Sequence, residues 1–150
     1  MFDVTALGEV LIDFTAYGAN PDTGMELFER NPGGAPANVA AAVSRLSGRA
    51  AFIGKVGADM HGTFLKDTLR QIGVDTRGVS ADDRAFTTLA FVSLEPSGER
   101  VFSFARKPGA DTRLTASDIP QELLTDSRIL HFGSLSLTDE PAHSATRYAV

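Results

Sequence analysis

Gly33-Gly34-Ala35-Pro36-Ala37-Asn38-Val39-Ala40 is the stretch of the sequence that decides the fold. Two adjacent glycines permit a left-handed backbone and, having no Cβ, let a ligand approach the main chain closely. The alanine-rich run that follows predicts a helix whose first N–H groups are unpaired and carry partial positive charge. Asn38 falls in the first turn of this helix. The arrangement suits a polyhydroxylated or anionic small molecule, but a diglycine before a helix is also ordinary turn chemistry.

The composition is that of a globular protein and excludes several classes of function. The 150 residues are 43% hydrophobic and 22% charged, enough for one domain with a hydrophobic core. A net charge of -5, with Arg106-Lys107 as no more than a basic pair, argues against nucleic acid as a partner. The sequence has no cysteine, which excludes disulfides and thiolate metal sites, and its three histidines are far apart. We therefore assign no metal ligands.

The sequence predicts neither a membrane span nor a signal peptide. No apolar run approaches the ~20 residues that a helix needs to cross a bilayer. The first ten residues include Asp3 and Glu9 and lack the basic segment that opens a signal peptide. We therefore expect a soluble protein of the cytoplasm.

Hydrophobic periodicity in the first half of the chain predicts alternating strands and helices. Strands are expected at residues 4–8, 10–14, 26–30, 50–57 and 74–79, with a loop at 16–24. The first helix is expected at residues 35–46, with a buried face formed by Val39, Ala42, Val43 and Leu46. Asp59 or the next residue caps a second helix, which stops at Gly73. The strand at 50–57 is apolar nearly throughout, as in a parallel sheet covered on both faces.

The second half of the chain begins with a different pattern. Alternating strands at residues 87–94 and 100–106 flank a Pro/Gly turn at 95–99, which predicts a half-exposed antiparallel hairpin. This hairpin and the half-exposed strand at 26–30 are expected to form a small separate sheet. A short helix broken by Pro120, a buried strand at 128–133 and a last helix opened by Asp139-Glu140-Pro141 complete the chain. The whole pattern is that of an open α/β sheet.

Asp13 is a candidate binding residue because of its neighbours. It lies between Ile12 and Phe14 at the end of an apolar strand, where a carboxylate is costly unless it is paired, hydrated or facing a ligand. The residues alone leave a second possibility open, that Asp13 only caps the end of the strand.

Several motifs together resemble one known family. The diglycine stretch is followed by Ser47 and Gly57 at the spacing of the first signature of the ribokinase-like (PfkB) carbohydrate kinases. The other matching segments are residues 8–13, 57–62, 100–111 and 129–137. The chain is thus identified as similar to the N-terminal half of one PfkB sugar-kinase domain, and Glu9 and residues 104–111 resemble fructokinases most.

The resemblance implies a three-layer α/β/α open sheet with a small β-sheet lid, formed by segments about 15–32 and 86–106. It implies phosphorylation of a sugar hydroxyl, with fructose as the first candidate, by ATP and Mg²⁺. It also implies a homodimer through the lid, as is common in the family. The substrate-binding residues that it implies are Asp13, Gly33, Gly34, Asn38, Phe104 and Arg106.

Each of these residues has an implied role. Asp13 and Asn38 would bond sugar hydroxyls, and the two glycines would let the sugar lie against the backbone. Arg106 would reach the sugar from the hairpin, with Phe104 facing the ring. The residues themselves leave Arg106 a simpler role, as a surface charge paired with Glu99 or Asp111.

The C-terminal catalytic half of the family is absent from this chain. The family's late Gly-Ala-Gly-Asp motif, which helps to supply the base and the phosphate donors, does not occur here. We assign no catalytic residue and expect these 150 residues alone to be inactive, with one edge of the central sheet exposed. The alternatives are a non-catalytic sugar-binding remnant, a 2-keto-3-deoxygluconate or ribose kinase, and, more weakly, a Rossmann module, because G-x-G-x-x-G spacing is missing.

Overall fold

The computed structural model describes residues 1–94 and 99–150, which form two four-stranded sheets and four α-helices. The strands are β1 Val4–Leu7, β2 Leu11–Ala19, β3 Glu26–Gly33, β4 Ala50–Gly57, β5 Asp75–Asp82, β6 Leu89–Leu94, β7 Arg100–Ala105 and β8 Leu130–Phe132. The helices are α1 Ala35–Arg45, α2 Met60–Gln71, α3 Gln121–Thr125 and α4 Ala142–Ala149. Three short 3-10 turns lie at Ala110–Arg113, Ala116–Asp118 and Ser134–Leu137.

The central sheet is parallel and has the order β5-β4-β1-β8. Neighbouring residues of its inner strands point to opposite faces, so Ala6 belongs to one hydrophobic core and Leu7 to the other. The same alternation separates Phe52 from Ile53 on β4. Because both faces are covered, the inner strands are almost wholly apolar, as the sequence of residues 50–57 predicted.

Helices cover both faces of this sheet. Ala37 and Ala40 of α1 and Leu65 and Leu69 of α2 pack in the first core. In the second core, the sheet packs against residues of the C-terminal part, namely Leu114, Ile119, Leu123, Ala142 and Ala145. The predicted three-layer α/β/α architecture is confirmed.

The second sheet is small and lies beyond the carboxyl end of β1. Its order is β3-β2-β6-β7, with β2 and β6 parallel and the outer pairs antiparallel. The predicted association of the hairpin with the strand near residues 26–30 is confirmed. The turn predicted at residues 95–99 lies, except for Glu99, outside the described residues.

Two predictions for the small sheet were wrong. The loop expected from residue 16 is strand as far as Ala19, because β2 continues to pair with β3 beyond a bulge between Ala16 and Gly18. Cross-strand pairing thus overrides the glycine and alanine content of this segment. Residues 26–30 are all exposed, whereas the prediction was an alternation of exposed and buried side chains. The first strand of the small sheet, β2, starts at Leu11.

The predicted buried face of α1 was wrong at Ala42 and Leu46, whereas Val43 packs against the first core as predicted. Leu46 is 84% exposed and Ala42 is exposed, whereas Pro36, Ala37 and Ala40 face the sheet. Small residues let the helix approach β1 closely, but they contribute little to a hydrophobic pattern, so the larger side chains dominated the prediction.

The C-terminal region differs from its prediction in three places. Residues 114–124 form a 3-10 turn and the start of α3, not one broken helix. The strand predicted as buried is the partly exposed β8, which pairs with β1 and has no second neighbour among the described strands. α4 starts after Pro141, so the two acids precede it. Within residues 1–94 and 99–150, no helix has the length and apolar character needed to span a membrane.

Candidate functional site

The diglycine forms a tight corner between β3 and α1. Gly34 is the N-cap of α1 and has a φ of 106°, in the region that favours glycine. A Cβ at Gly34 would collide with the carbonyl oxygen of Glu9. The backbone N–H of Asn38 donates to the Gly34 oxygen over 2.9 Å, which closes the first helical turn. The corner therefore packs closely against the backbone of Glu9, just beyond the carboxyl end of β1.

The carboxylate of Asp13 lies against this corner. A Cβ at Gly33 would collide with Oδ2 of Asp13, so the side chain fills the space that any other residue would need. Burial raises the pKa of Asp13 above its ordinary value. Within the described part of the chain, no hydrogen bond or ion pair to this side chain is formed. Asp13 is thus a partly buried acid with unused acceptor capacity.

The register of the small sheet places Asp13 on the same face as Phe104. Asp13 is paired with Asn31 of β3 and with Ala90 of β6, and Ala90 is paired with Phe104 of β7. Directly paired residues share a face of a sheet, so these four residues form one row across it. The next residue, Phe14, lies on the opposite face.

Arg106 follows β7 and makes its contacts on the main body of the protein. Its Nε donates to Asp111 Oδ2 over 2.9 Å, and its Nη2 lies 2.7 Å from the same oxygen. Nη2 also donates to the carbonyl oxygen of Leu135 over 3.3 Å, and Nη1 lies 3.8 Å from Asp139. The alternative pairing with Asp111, left open by the sequence, is therefore present.

A small cavity lies between the hairpin and the 3-10 turn at Ser134–Leu137. It has a volume of about 230 Å³ and is lined by Phe104, Arg106, Lys107, Leu135 and Asp139. Phe104 is 53% exposed, so an aromatic face is available at its rim. The cavity brings together the two hairpin residues that the sequence predicted as substrate-binding.

Asn38 lies in a different place. It is exposed and, with Gly33 and Asn31, lines a crevice of about 240 Å³ between α1 and α2. Asp13, Phe104 and Arg106 do not line this crevice. The structure thus brings Asp13 to the diglycine corner and Phe104 to Arg106, and it connects Asn38 to the corner through Gly33.

Glu9 makes a contact at the diglycine corner that the sequence reasoning missed. It is 5% exposed, and its Oε1 accepts the backbone N–H of Ala35 over 3.0 Å, at the first residue of α1. Its Oε2 is buried without a hydrogen-bond partner among the described residues. An acid directly after a buried strand was a signal for such a contact, but its partner is too distant in sequence to be deduced.

Asp59 is confirmed as the cap of α2 and has a second role. Its Oδ1 accepts the N–H groups of His61 and Gly62, while Oδ2 accepts the N–H of Thr87. Burial acts to raise the pKa of Asp59, but these hydrogen bonds outweigh it and hold the pKa below the ordinary value. Asp59 therefore ties α2 to the segment that leads into β6.

The described residues do not form a metal centre. Residues 1–94 and 99–150 contain no group of three or more His, Asp or Glu side chains placed to hold a metal ion. What these residues bring together is the carboxylate of Asp13 beside Gly33 and, in a separate cavity, Phe104 with Arg106.

Comparison with known proteins gives consistent results. The chain is 49% identical to fructokinase-1 of Zea mays over 143 residues, which cover 95% of this chain and 44% of the maize protein. It is similar to a fructokinase of Xylella fastidiosa with bound ATP, with a TM-score of 0.90 and 39% identity over 99% of this chain and 49% of that one. A Vibrio cholerae fructokinase with fructose, ADP and calcium matches with a TM-score of 0.78 and 35% identity, over 99% of this chain and 46% of that one.

The chain thus spans about half the length of these relatives. The sequence profile of the pfkB family carbohydrate kinases matches residues 1–147, nearly all of the chain. This match contains the diglycine corner, Asp13 and the small sheet, and the fold agrees with that of the solved fructokinases, so the chain belongs to the pfkB family of carbohydrate kinases.

Proposed function

We propose that the protein carrying this chain transfers the γ-phosphate of ATP to a hydroxyl group of fructose, and that these 150 residues supply the sugar-binding part. The observation that carries the proposal is the partly buried Asp13 carboxylate beside Gly33, which has no hydrogen-bond or ion-pair partner among the described residues. The similarity to fructokinases, one of them solved with fructose, supports the choice of substrate.

Asp13 is the proposed anchor for the sugar. A carboxylate has two oxygens that accept hydrogen bonds, and a sugar presents adjacent hydroxyl donors. Bonds to a charged acceptor are stronger than neutral ones, and partial burial strengthens them further. Desolvation of an acid that has no protein partner costs free energy, and hydrogen bonds from a bound polyol offset that cost. The unpaired carboxylate therefore favours a hydroxyl-rich ligand over an apolar one.

The diglycine corner is the proposed floor of the pocket. Because Gly33 and Gly34 have no side chains, the Asp13 carboxylate and the Glu9 backbone pack directly against them, and a sugar held by Asp13 would lie beside this corner. Asn38 belongs to the proposal as a second amide contact to a hydroxyl. Its support is its place in the first turn of α1 and its shared crevice with Gly33.

The small sheet is the proposed lid, formed by segments about 15–32 and 86–106. Phe104 would face the sugar ring and Arg106 would bond a hydroxyl, which is supported by the row that links Phe104 to Asp13 across the sheet. A lid has a chemical purpose in a kinase, because water that reaches the γ-phosphate would hydrolyse ATP without a sugar product.

ATP and Mg²⁺ are proposed to bind mainly through a C-terminal half outside these residues. When bound, Mg²⁺ neutralises the charge that develops on the transferred phosphoryl group. The residues described here contain no suitable donor cluster, so we assign them no part in metal binding and no catalytic base. Their task is to bind and orient the sugar hydroxyl and to exclude water.

A homodimer through the lid is part of the proposal. Its support is the number of large apolar side chains that are exposed on or beside the small sheet, including Met25, Phe28, Val101 and Phe102. Light scattering of the purified protein at several concentrations tests it, and a monomer at all of them would contradict it. We also propose a cytoplasmic location, where ATP is available.

The function is tested with the full-length protein from the gene that contains this chain. A coupled assay compares fructose, ribose, 2-keto-3-deoxygluconate and a nucleoside as phosphate acceptors, and fructose should give the highest kcat/KM. Calorimetry of Asp13→Ala should show no fructose binding but normal ATP binding, with Asp67→Ala on the exposed side of α2 as control. Fructose binding by Asp13→Ala would place the pocket elsewhere, and ATP binding without any sugar acceptor would contradict a sugar kinase.

A further inference from the structure

Asp111 holds Arg106 with a carboxylate that is almost entirely buried. The Asp111 side chain is 3% exposed and that of Arg106 is 13% exposed. Oδ1 of Asp111 accepts the hydroxyl hydrogen of Thr88, and Oδ2 accepts from Nε and lies 2.7 Å from Nη2 of Arg106. Thr88 directly precedes β6 and Arg106 directly follows β7. The carboxylate of Asp111 therefore holds the start of β6 and the end of β7 together, at the open end of the hairpin.

The pairing decides the charge of the cavity beside Phe104. Arg106 is the cation that lies deepest in the lining, and its charge is compensated by Asp111 behind it and by Asp139 at 3.8 Å. All three of its nitrogens have partners: Nε and Nη2 at Asp111 and Leu135, and Nη1 at the Thr138 hydroxyl, over 3.5 Å. A negatively charged ligand would meet a guanidinium that already has its counter-ion.

The remaining cation of the cavity does not alter this balance. Lys107 is exposed, and ion pairs between exposed groups contribute little, because water and salt screen them. Asp139 carries the opposite charge on the same lining. Counted with Asp111, the charged groups at the cavity are two cations, Arg106 and Lys107, and two acids, Asp111 and Asp139, so the formal charges cancel.

We infer that Asp111 is a specificity-determining residue, which neutralises Arg106 so that the site accepts an uncharged polyol and rejects a sugar acid. The inference rests on the proposed sugar kinase function and deepens it. A kinase that takes a sugar acid needs an arginine free to form a bidentate pair with the substrate carboxylate. In this protein, Nε and Nη2 of Arg106 already pair with the carboxylate of Asp111. Asp111 acts through Arg106, so it is a positioning residue and touches no substrate.

The test compares a neutral and an acidic acceptor on the full-length protein. kcat and KM are measured for fructose and for 2-keto-3-deoxygluconate, with wild type, Asp111→Asn and the double variant Asp111→Asn/Arg106→Gln. Asp111→Asn keeps the shape and removes the charge, so the ratio of kcat/KM for the acid to that for fructose should rise at least about tenfold. This rise in the ratio should come mainly from KM and not from kcat, and the double variant should not show it.

A matched control is available in the same protein. Asp82 and Arg113 form another pair at 2.7 Å; the Asp82 side chain is 8% exposed, and neither residue lines the cavity beside Phe104. Asp82→Asn lowers stability in a similar way but should leave the ratio of acid to fructose unchanged. If Asp111→Asn does not fold, Asp139→Asn provides the test of the inference. Asp139 also faces Arg106, and at 57% exposure its replacement should be tolerated. It should raise the same ratio by a smaller factor.

The outcomes separate the inference from the proposed function. A wild type that phosphorylates fructose, with a ratio that neither Asp111→Asn nor Asp139→Asn changes, overturns the inference and leaves the kinase in place. A wild type that prefers the sugar acid overturns the inference and the choice of fructose as substrate, and leaves the sugar kinase in place. A wild type that phosphorylates neither sugar overturns both.

Discussion

The carboxylate of Asp13 and the α-carbon of Gly33 are packed so closely that a methyl group on the glycine would collide with Oδ2. Gly33→Ala should therefore displace the carboxylate without unfolding the protein, because the side chain of Asp13 can rotate. We expect the fructose KM to rise at least about tenfold, while the free energy of unfolding changes by less than about 1 kcal/mol. Steady-state kinetics and urea unfolding of the full-length protein measure the two effects.

Gly34→Ala is the contrasting variant at the next residue. Gly34 has a left-handed φ of 106°, and its Cβ would meet the rigid carbonyl of Glu9. Here the backbone itself must move, so the protein should lose about 1–3 kcal/mol of stability. Equal stability losses for the two alanine variants would mean that the Asp13 side chain is not free to move.

Asp13→Asn should make the folded protein more stable at neutral pH. Burial raises the pKa of Asp13, and no described group compensates the charge. The folded state therefore favours the protonated form, so the stabilisation linked to this proton is complete below the unfolded pKa, near 3.8, and is lost as the pH rises through the folded value. Asparagine removes the charge at every pH.

The expected result is a higher melting temperature for Asp13→Asn at pH 7, together with loss of fructose binding. The gain in melting temperature should vanish below about pH 4, where both proteins are uncharged at this position. Thermal melts across this range measure it. A variant less stable than wild type at pH 7 would indicate that the ionised carboxylate has a stabilising partner.

Asp59→Asn should weaken the connection between α2 and β6. Both carboxylate oxygens accept hydrogen bonds, and an amide would place its NH₂ opposite the N–H of Thr87 or the helix start. We expect a loss of about 1–2 kcal/mol in the free energy of unfolding, measured by urea titration. Asp83→Asn is the control, because Asp83 is exposed and its ion pair with Arg84 is long, at 3.8 Å.

The effect of Asp59 should depend on pH in the opposite sense from that of Asp13. Its pKa is held below the ordinary value of 3.8, so its contribution to stability is present above that value and is lost as the pH falls through the folded pKa. The difference between wild type and Asp59→Asn should therefore be constant near neutral pH and shrink in acid. A difference that stays constant down to pH 2 would exclude the ionised carboxylate as its source.

The sequence predicted those parts of the fold that depend on local pattern. The diglycine before an alanine-rich run identifies the start of α1, and the apolar stretch at residues 50–57 identifies a strand covered on both faces. The two alternating segments that make β6 and β7 are likewise local signals. In each case one segment contains the whole pattern.

Features that depend on contacts between distant segments could not be predicted from local sequence patterns. The strand character of Ala16–Ala19 comes from its pairing with β3, and the buried face of α1 from contact with β1. In the site, Asp13 was found because an acid interrupts an apolar run, and Asp111 was named as a possible partner of Arg106, whereas the contact of Glu9 with Ala35 was missed. No periodicity identifies such pairs.

Phe14 offers a test of how the small sheet is held against the main body. It stacks on Phe91 of β6 at 5.3 Å and meets the ring of His61 on α2 edge-on at 5.8 Å. Because its side chain points away from the face of Asp13, Phe14→Ala should leave the sugar contacts intact and alter only the placement of the sheet. We expect a loss of about 2 kcal/mol in stability, since the ring is only partly buried.

The fructose KM of Phe14→Ala should rise severalfold, because a loosely held lid aligns Phe104 and Arg106 less often. Tyr17→Ala is the matched control: this aromatic residue lies on the same strand but is exposed and should change stability by less than about 0.5 kcal/mol. Kinetics and urea unfolding of both variants distinguish the two roles. A Phe14→Ala protein that loses stability but keeps its fructose KM would show that the packing of the small sheet on α2 does not govern sugar binding.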